Sequence, residues 1–216
     1  RMVPEEFKKE WMVDAQAGTV AFGSAYHNWA TSLPLMAKKN VNFKQIYEFM
    51  EKEQKRELAQ AAPLHEVLLD MIVEKLPSAD DAQKYRIPHI WRGEAEEDIG
   101  QAMVNADGKG DSAFMVTKVV LDPHAGEIAV GRLFSGSIKK GDQMYVAGMP
   151  NANRVQSVGM FVGGDRIATE TVTAGNIIAV SGLRDAQSGS TISSNKEMTP
   201  FERIVHNSDP VVTTAI

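Results

Sequence analysis

The sequence predicts an α+β chain of more than one domain, with helices and a short strand first and an antiparallel β-barrel or sandwich after them. Three observations carry this. Apolar residues recur at helical spacing between residues 43 and 72. From Ala113 the period changes to two, with Phe114, Val116, Lys118 and Val120 alternating with Met115, Thr117, Val119 and Leu121. Short β-prone runs broken by glycine turns then follow, organised around the stretch Gly131–Asp142.

In chain order, Glu5–Trp11 reads as a charged helix and Asp14–Gly18 as a turn. Thr19–Gly23 is a short β-like run that passes directly into Ser24-Ala25-Tyr26-His27-Asn28. Taken alone, those small residues describe an ordinary strand-to-loop turn. The clearest helix runs from Phe43 to Gln60. Asn42 caps it, Gln45 sits at the capping-box position, and Phe43, Ile46, Tyr47 and Met50 form one apolar face. Pro63 starts a second helix, whose predicted buried stripe is Leu64, Val67, Leu68, Met71 and Ile72. Leu76-Pro77-Ser78 ends it, and the domain boundary is placed at Pro77. Between 77 and 111, Pro88, Gly93 and the acidic run Glu94–Asp98 interrupt any period. Asp107–Asp111 reads as a turn, because its spacing misses the calcium-loop pattern and no closing Glu follows.

In the second half, Asp122-Pro123-His124-Ala125-Gly126 predicts a hairpin loop, with Pro fixing φ and Gly free to take a positive one. Further strands are expected at 128–132, 143–147, 154–162, 175–180 and 202–205. Gly136 suits a bend at a barrel corner and Gly141 a tight turn. Val211–Ile216 is one more β-prone run. A chain that opens on Arg1 and closes inside that run reads as a fragment.

Composition narrows the chemistry. With no cysteine there are no disulfides and no thiol nucleophile or ligand. No apolar run approaches the roughly 20 residues of a membrane-spanning helix. The net charge of −5 is carried by the first half: residues 1–111 hold 14 Lys/Arg and 19 Asp/Glu, and the remainder holds nine of each. The second half therefore lacks the overall basicity of a dedicated nucleic-acid binder, though not a local basic patch. The sequence holds no phosphate-binding loop, nucleophile elbow or zinc motif, and His27, His65, His89, His124 and His206 have no ligand spacing. No catalytic or metal-ligating set is assigned.

Gly131-Arg132-Leu133-Phe134-Ser135-Gly136-Ser137-Ile138-Lys139-Lys140-Gly141-Asp142 resembles the second-domain barrel signature of the translational GTPases. Val20–Ala25 followed by Trp29, the 43–60 helix, Leu76-Pro77-Ser78 and Ala82–Pro88 resemble the ribosomal translocase branch of that family, shared by archaea and eukaryotes. The resemblance covers essentially the whole chain. It implies that residues 1–76 are the tail of the G domain, 77–207 the second-domain barrel and 208–216 the start of a third domain. It also implies that Ser24 and Ala25 belong to the fifth guanine motif, whose loop contacts the base.

An intact protein of this kind would bind GTP or GDP with Mg²⁺, hydrolyse GTP and drive tRNA and mRNA through the ribosome in the cytoplasm, with no membrane or DNA partner. This chain, without the phosphate loop, is expected to be inactive alone and to hold no nucleotide tightly. The barrel is expected to lean on small-subunit ribosomal RNA. Arg132, Lys139, Lys140 and Arg154 are the candidates for phosphate contact. The alternative is a stand-alone β-barrel adapter that binds RNA or protein without enzymatic activity.

Overall fold

The computed structural model describes residues 12–94 and 96–202. The expected helix at 5–11, the end of the expected strand at 202–205, the run 211–216 and the third-domain start lie outside these residues. The chain divides between Leu76 and Pro77 into two compact units.

The first unit begins with a small antiparallel hairpin, β1 (Phe22–Ser24) and β2 (Trp29–Thr31). Four helices follow: α1 (Leu33–Lys39), α2 (Phe43–Glu51), α3 (Lys55–Ala61) and α4 (Leu64–Lys75). Ala30, Leu35 and Val67 are the buried centre, with Leu64 and Met71 packed against it. The capping box at α2 forms in full: Asn42 Oδ1 accepts the Gln45 N–H, and Gln45 Oε1 accepts the Asn42 N–H, both at 2.9 Å.

Two expectations need correction here. The single helix expected over 43–60 is two, because Glu53 adopts a left-handed φ of 54°. The Gln54 N–H then bonds to Phe49 O at 2.9 Å and the Glu53 N–H to Met50 O at 3.2 Å, which closes α2 with a Schellman motif. The predicted apolar faces are also only partly buried. Ile46 and Val67 are enclosed, whereas Phe43, Tyr47, Met50, Leu68 and Ile72 are exposed. A 3.6-residue period shows which side of a helix is apolar; it does not supply the layer that covers it.

The second unit opens with two helices where the sequence suggested irregular chain: α5 (Ala79–Ile90) and α6 (Asp98–Val104). Ser78 Oγ accepts the Asp81 N–H at 3.3 Å and donates to the Asp81 carboxylate at 2.7 Å. This cap, with Asp80 and Asp81 beside the positive helix end, outweighs the Pro88 that interrupts the pattern. Pro88 falls in the last turn, where one backbone hydrogen bond is all it removes. The Ser78 hydroxyl and Lys84 hold the Asp81 carboxyl below its usual range. The acidic run ends inside α6, which is closed by Ala106 at φ 50°.

Among the described residues ten strands follow: β3 (Ala113–Asp122), β4 (Gly126–Ser135), β5 (Ser137–Lys139), β6 (Gln143–Val146), β7 (Ala152–Arg154), β8 (Ser157–Val162), β9 (Asp165–Thr169), β10 (Thr171–Thr173), β11 (Ile177–Ser181) and β12 (Thr191–Ser193). Eight form one antiparallel sheet in the order β7-β6-β12-β3-β4-β11-β8-β9, while β5 and β10 pair separately. The sheet curls around Phe114, Val116, Leu133, Ile138, Met144, Val158, Ile178, Val180 and Ile192. On its outer side Ile87, Trp91, Met103, Phe134, Met198 and Phe201 make a second cluster that fastens α5 and α6 to β4. Buried Gln83 reinforces it, donating to Phe134 O at 2.9 Å and to Met103 O.

The hairpin at 122–126 forms as expected, with Gly126 at φ 71°. Asp122 Oδ1 accepts the Ala125 and His124 N–H groups at 2.8 Å each, and these bonds lower its carboxyl pKa. The strand expected over 154–162 is broken instead. Val155 turns into the core, so β7 pairs with β6 and β8 with β11.

Candidate functional site

The predicted site residues lie in both units, all but Arg132 at or beside an exposed turn. In the first unit β1 and β2 are in register with Ser24 opposite Trp29, so Ala25 to Asn28 make the connecting turn. The turn is closed by the Asn28 N–H on Ala25 O at 3.2 Å, with Asn28 at a left-handed φ of 54°. The Ser24 hydroxyl accepts the His27 N–H at 3.4 Å, and Ala25 and Tyr26 face solvent. Gly23 is required just before it. A Cβ there would lie 2.5 Å from Trp29 O and 2.7 Å from Ala30 Cβ. A hydroxyl and an exposed peptide are thus presented on a tightly crossed hairpin, which suits contact with a flat polar ring.

In the barrel, Lys139, Lys140 and Arg154 come together. Lys139 N–H is fixed on the Asp142 carboxylate at 2.9 Å, and the Gly141 N–H bonds to Val155 O at 2.9 Å, adjacent to Arg154. The Arg154 guanidinium passes 3.9 Å from where a Gly141 Cβ would stand. All three side chains are exposed. Arg132 belongs to a different locality. It lies on β4, half-buried, and donates to Gly175 O at 3.2 Å. Burial lowers its pKa first, and the positive charge of Arg86 on α5 lowers it further. Arg132 therefore serves the barrel wall, and the exposed basic turn consists of the other three. Arg86 stands on α5, a helix where the sequence suggests irregular chain. The Asp107–Asp111 turn engages protein donors, with Asp111 accepting from Ser194 Oγ at 2.9 Å and Asn195 Nδ2 at 3.2 Å.

Residues 126–193, the span from the first residue of β4 to the last of β12, match the family described as elongation factor Tu domain 2. Beyond that span, the chain is 53% identical over 216 residues to elongation factor 2 of Picrophilus torridus and 52% identical to that of Thermococcus gammatolerans. It is 49% identical over 217 residues to elongation factor 2 of Methanocaldococcus jannaschii. Over its whole length the chain is homologous to archaeal elongation factor 2. Each of these matches covers 100% of this chain but only 29–30% of the elongation factor 2 relative, so the chain spans under a third of the relatives' length. The strands around Gly131–Asp142 lie within the span that matches elongation factor Tu domain 2, and the similarity to elongation factor 2 extends through the helical unit before it. Among the described residues, no helix is long and apolar enough to cross a membrane.

Proposed function

We propose that this chain works as part of a ribosome-dependent GTPase that moves tRNA and mRNA through the ribosome. Residues 1–76 form the closing part of the G domain and residues 77–207 the second-domain barrel. The observation that carries this reading is similarity at about half identity to archaeal elongation factor 2 across the whole chain. The barrel docks on small-subunit ribosomal RNA through its exposed basic turn. Neutralising phosphates with loop cations gives affinity without base readout, as a factor acting on every codon requires.

The residues present fit only the base end of a guanine nucleotide. Ser24 and Ala25 stand on an exposed loop held by the Gly23 crossing, and they would border the ring. GTP or GDP with Mg²⁺ would supply the phosphoryl chemistry in the complete protein. The phosphate-binding loop is not in this sequence. Calorimetric titration of GDP into the 216-residue chain is expected to give no micromolar binding, and a phosphate-release assay with GTP no turnover. Micromolar affinity would contradict the assignment of the phosphate-binding machinery to residues outside this chain.

A further inference from the structure

The basic turn has a second bank that neither its sequence signature nor the proposed phosphate contacts include. The four-residue segment Asn153–Gln156 is hydrogen-bonded to two loops at once. On one side Val155 exchanges backbone bonds with the 139–142 turn: the Gly141 N–H on Val155 O and the Val155 N–H on Asp142 O, both 2.9 Å. On the other, the Gln156 N–H bonds to Ser181 O at 2.9 Å, and Gly182 crosses so closely that a Cβ would lie 2.5 Å from Arg154 O. Asn153 Oδ1 then accepts the Arg184 N–H at 3.1 Å. Leu183 is buried in the barrel core, so its neighbour Arg184 is turned outward and exposed.

Lys139, Lys140 and Arg184 are therefore carried by two loops fastened to the one strip of backbone that carries Arg154. Among the described residues none of the four is in an ion pair. The acidic groups of these loops are Asp142, whose carboxylate already accepts the Lys139 N–H, and Asp185 beside Arg184. In a half-chain with balanced charge, four cations against two carboxylates leave a local excess of two positive charges on hydrogen-bonded backbone, an attractor for a polyanion.

We propose that Arg184 is a phosphate-contacting residue of the barrel and that Asn153 positions it, so that the two loops grip one RNA sugar-phosphate strand from both banks. This deepens the docking assignment above and rests on it. The loops' backbone anchoring matters because an exposed cation on a tethered loop spends less conformational entropy on contact. Asn153 contributes no charge; its part is to hold the Arg184 loop against β7.

The test uses the full 216-residue chain and purified archaeal small ribosomal subunits, with binding measured across a salt series. Arg184→Ala is expected to weaken binding and to reduce the slope of log K against log salt by about 0.7–0.9, one phosphate contact. Asn153→Ala leaves every charge in place and is expected to weaken binding in the same direction. Lys118→Ala, which removes an exposed lysine from β3, should change nothing. If Arg184→Ala and Asn153→Ala bind like the parent while Lys139→Glu/Lys140→Glu loses affinity, the second bank is wrong and the docking assignment stands. If all variants bind like the parent, both fall. A melting curve accompanies each variant. Should Asn153→Ala unfold, the exposed Arg184→Ala change decides the matter alone.

Discussion

Replacing Gly131 by alanine is expected to cost the barrel about 3 kcal/mol or more, since overpacking with no room to relax falls at the upper end of single-substitution effects. Gly131 lies on β4 opposite Val116, where the register of β3 shifts between Val116 and Lys118. The two backbones approach so closely there that a Cβ would stand 1.9 Å from Met115 O and 2.9 Å from Val116 Cα. Those are main-chain atoms of the neighbouring central strand and cannot swing away as a side-chain tip can. Accommodating one methyl group means parting β3 from β4, between core residues Val116 and Leu133. For a unit of this size, the melting temperature should fall by about 10 °C or more. Gly164→Ala is the matched control: no atom lies within 4 Å of its added Cβ, so it should melt like the parent. A Gly131→Ala protein that also melts like the parent would refute the close crossing.

The second large effect is expected at Phe114. Its ring is fully enclosed at 0% exposure, and in register it stands between Leu133 on β4 and Ile192 on β12. Truncation to alanine removes the transfer free energy of the ring and leaves a cavity in a sheet that has two neighbours to keep in place, a loss of about 3–5 kcal/mol. In urea the midpoint should fall while the m-value stays constant, the sign of lost stability without a changed unfolded state. Leu121, also on β3 but 79% exposed at the hairpin end, should tolerate alanine with almost no shift. Equal effects at the two positions would show that the barrel core is not centred on Phe114.

What could be read from the residues was whatever depends on local chemistry. The Asp122–Gly126 hairpin and the Asn42–Gln45 capping box are encoded by side chains that bond to their own neighbouring backbone, and both are present. The positive φ angles of 71° at Gly136 and 94° at Gly141 follow the same logic. Gly136 also sits where a Cβ would meet Ser112 Cα at 2.7 Å, a long-range contact that the bend signal does not convey. Features set at a distance were less legible. Helix α5 was hidden by Pro88, since its burial depends on Met103, Phe134 and Phe201 from later in the chain. The break at Val155 comes from a change of strand partner, for which residues 154–162 contain no signal.

The site divides in the same way. Lys139, Lys140 and Arg154 are brought together by the pairing of β6 with β7 and by the bonds of Val155 to the turn. Arg132, equally basic in the sequence, is drawn into the barrel wall by the Gly175 carbonyl. The role proposed for Ser24 and Ala25 rests on resemblance alone, because a small-residue turn carries no signal of its own for guanine.

The most direct measurement of the central claim is co-sedimentation of the 216-residue chain with archaeal small ribosomal subunits at low and moderate salt. Docking through loop cations predicts association that weakens as salt rises and is lost when both Lys139 and Lys140 are replaced by Glu. Association indifferent both to salt and to that double charge reversal would contradict it.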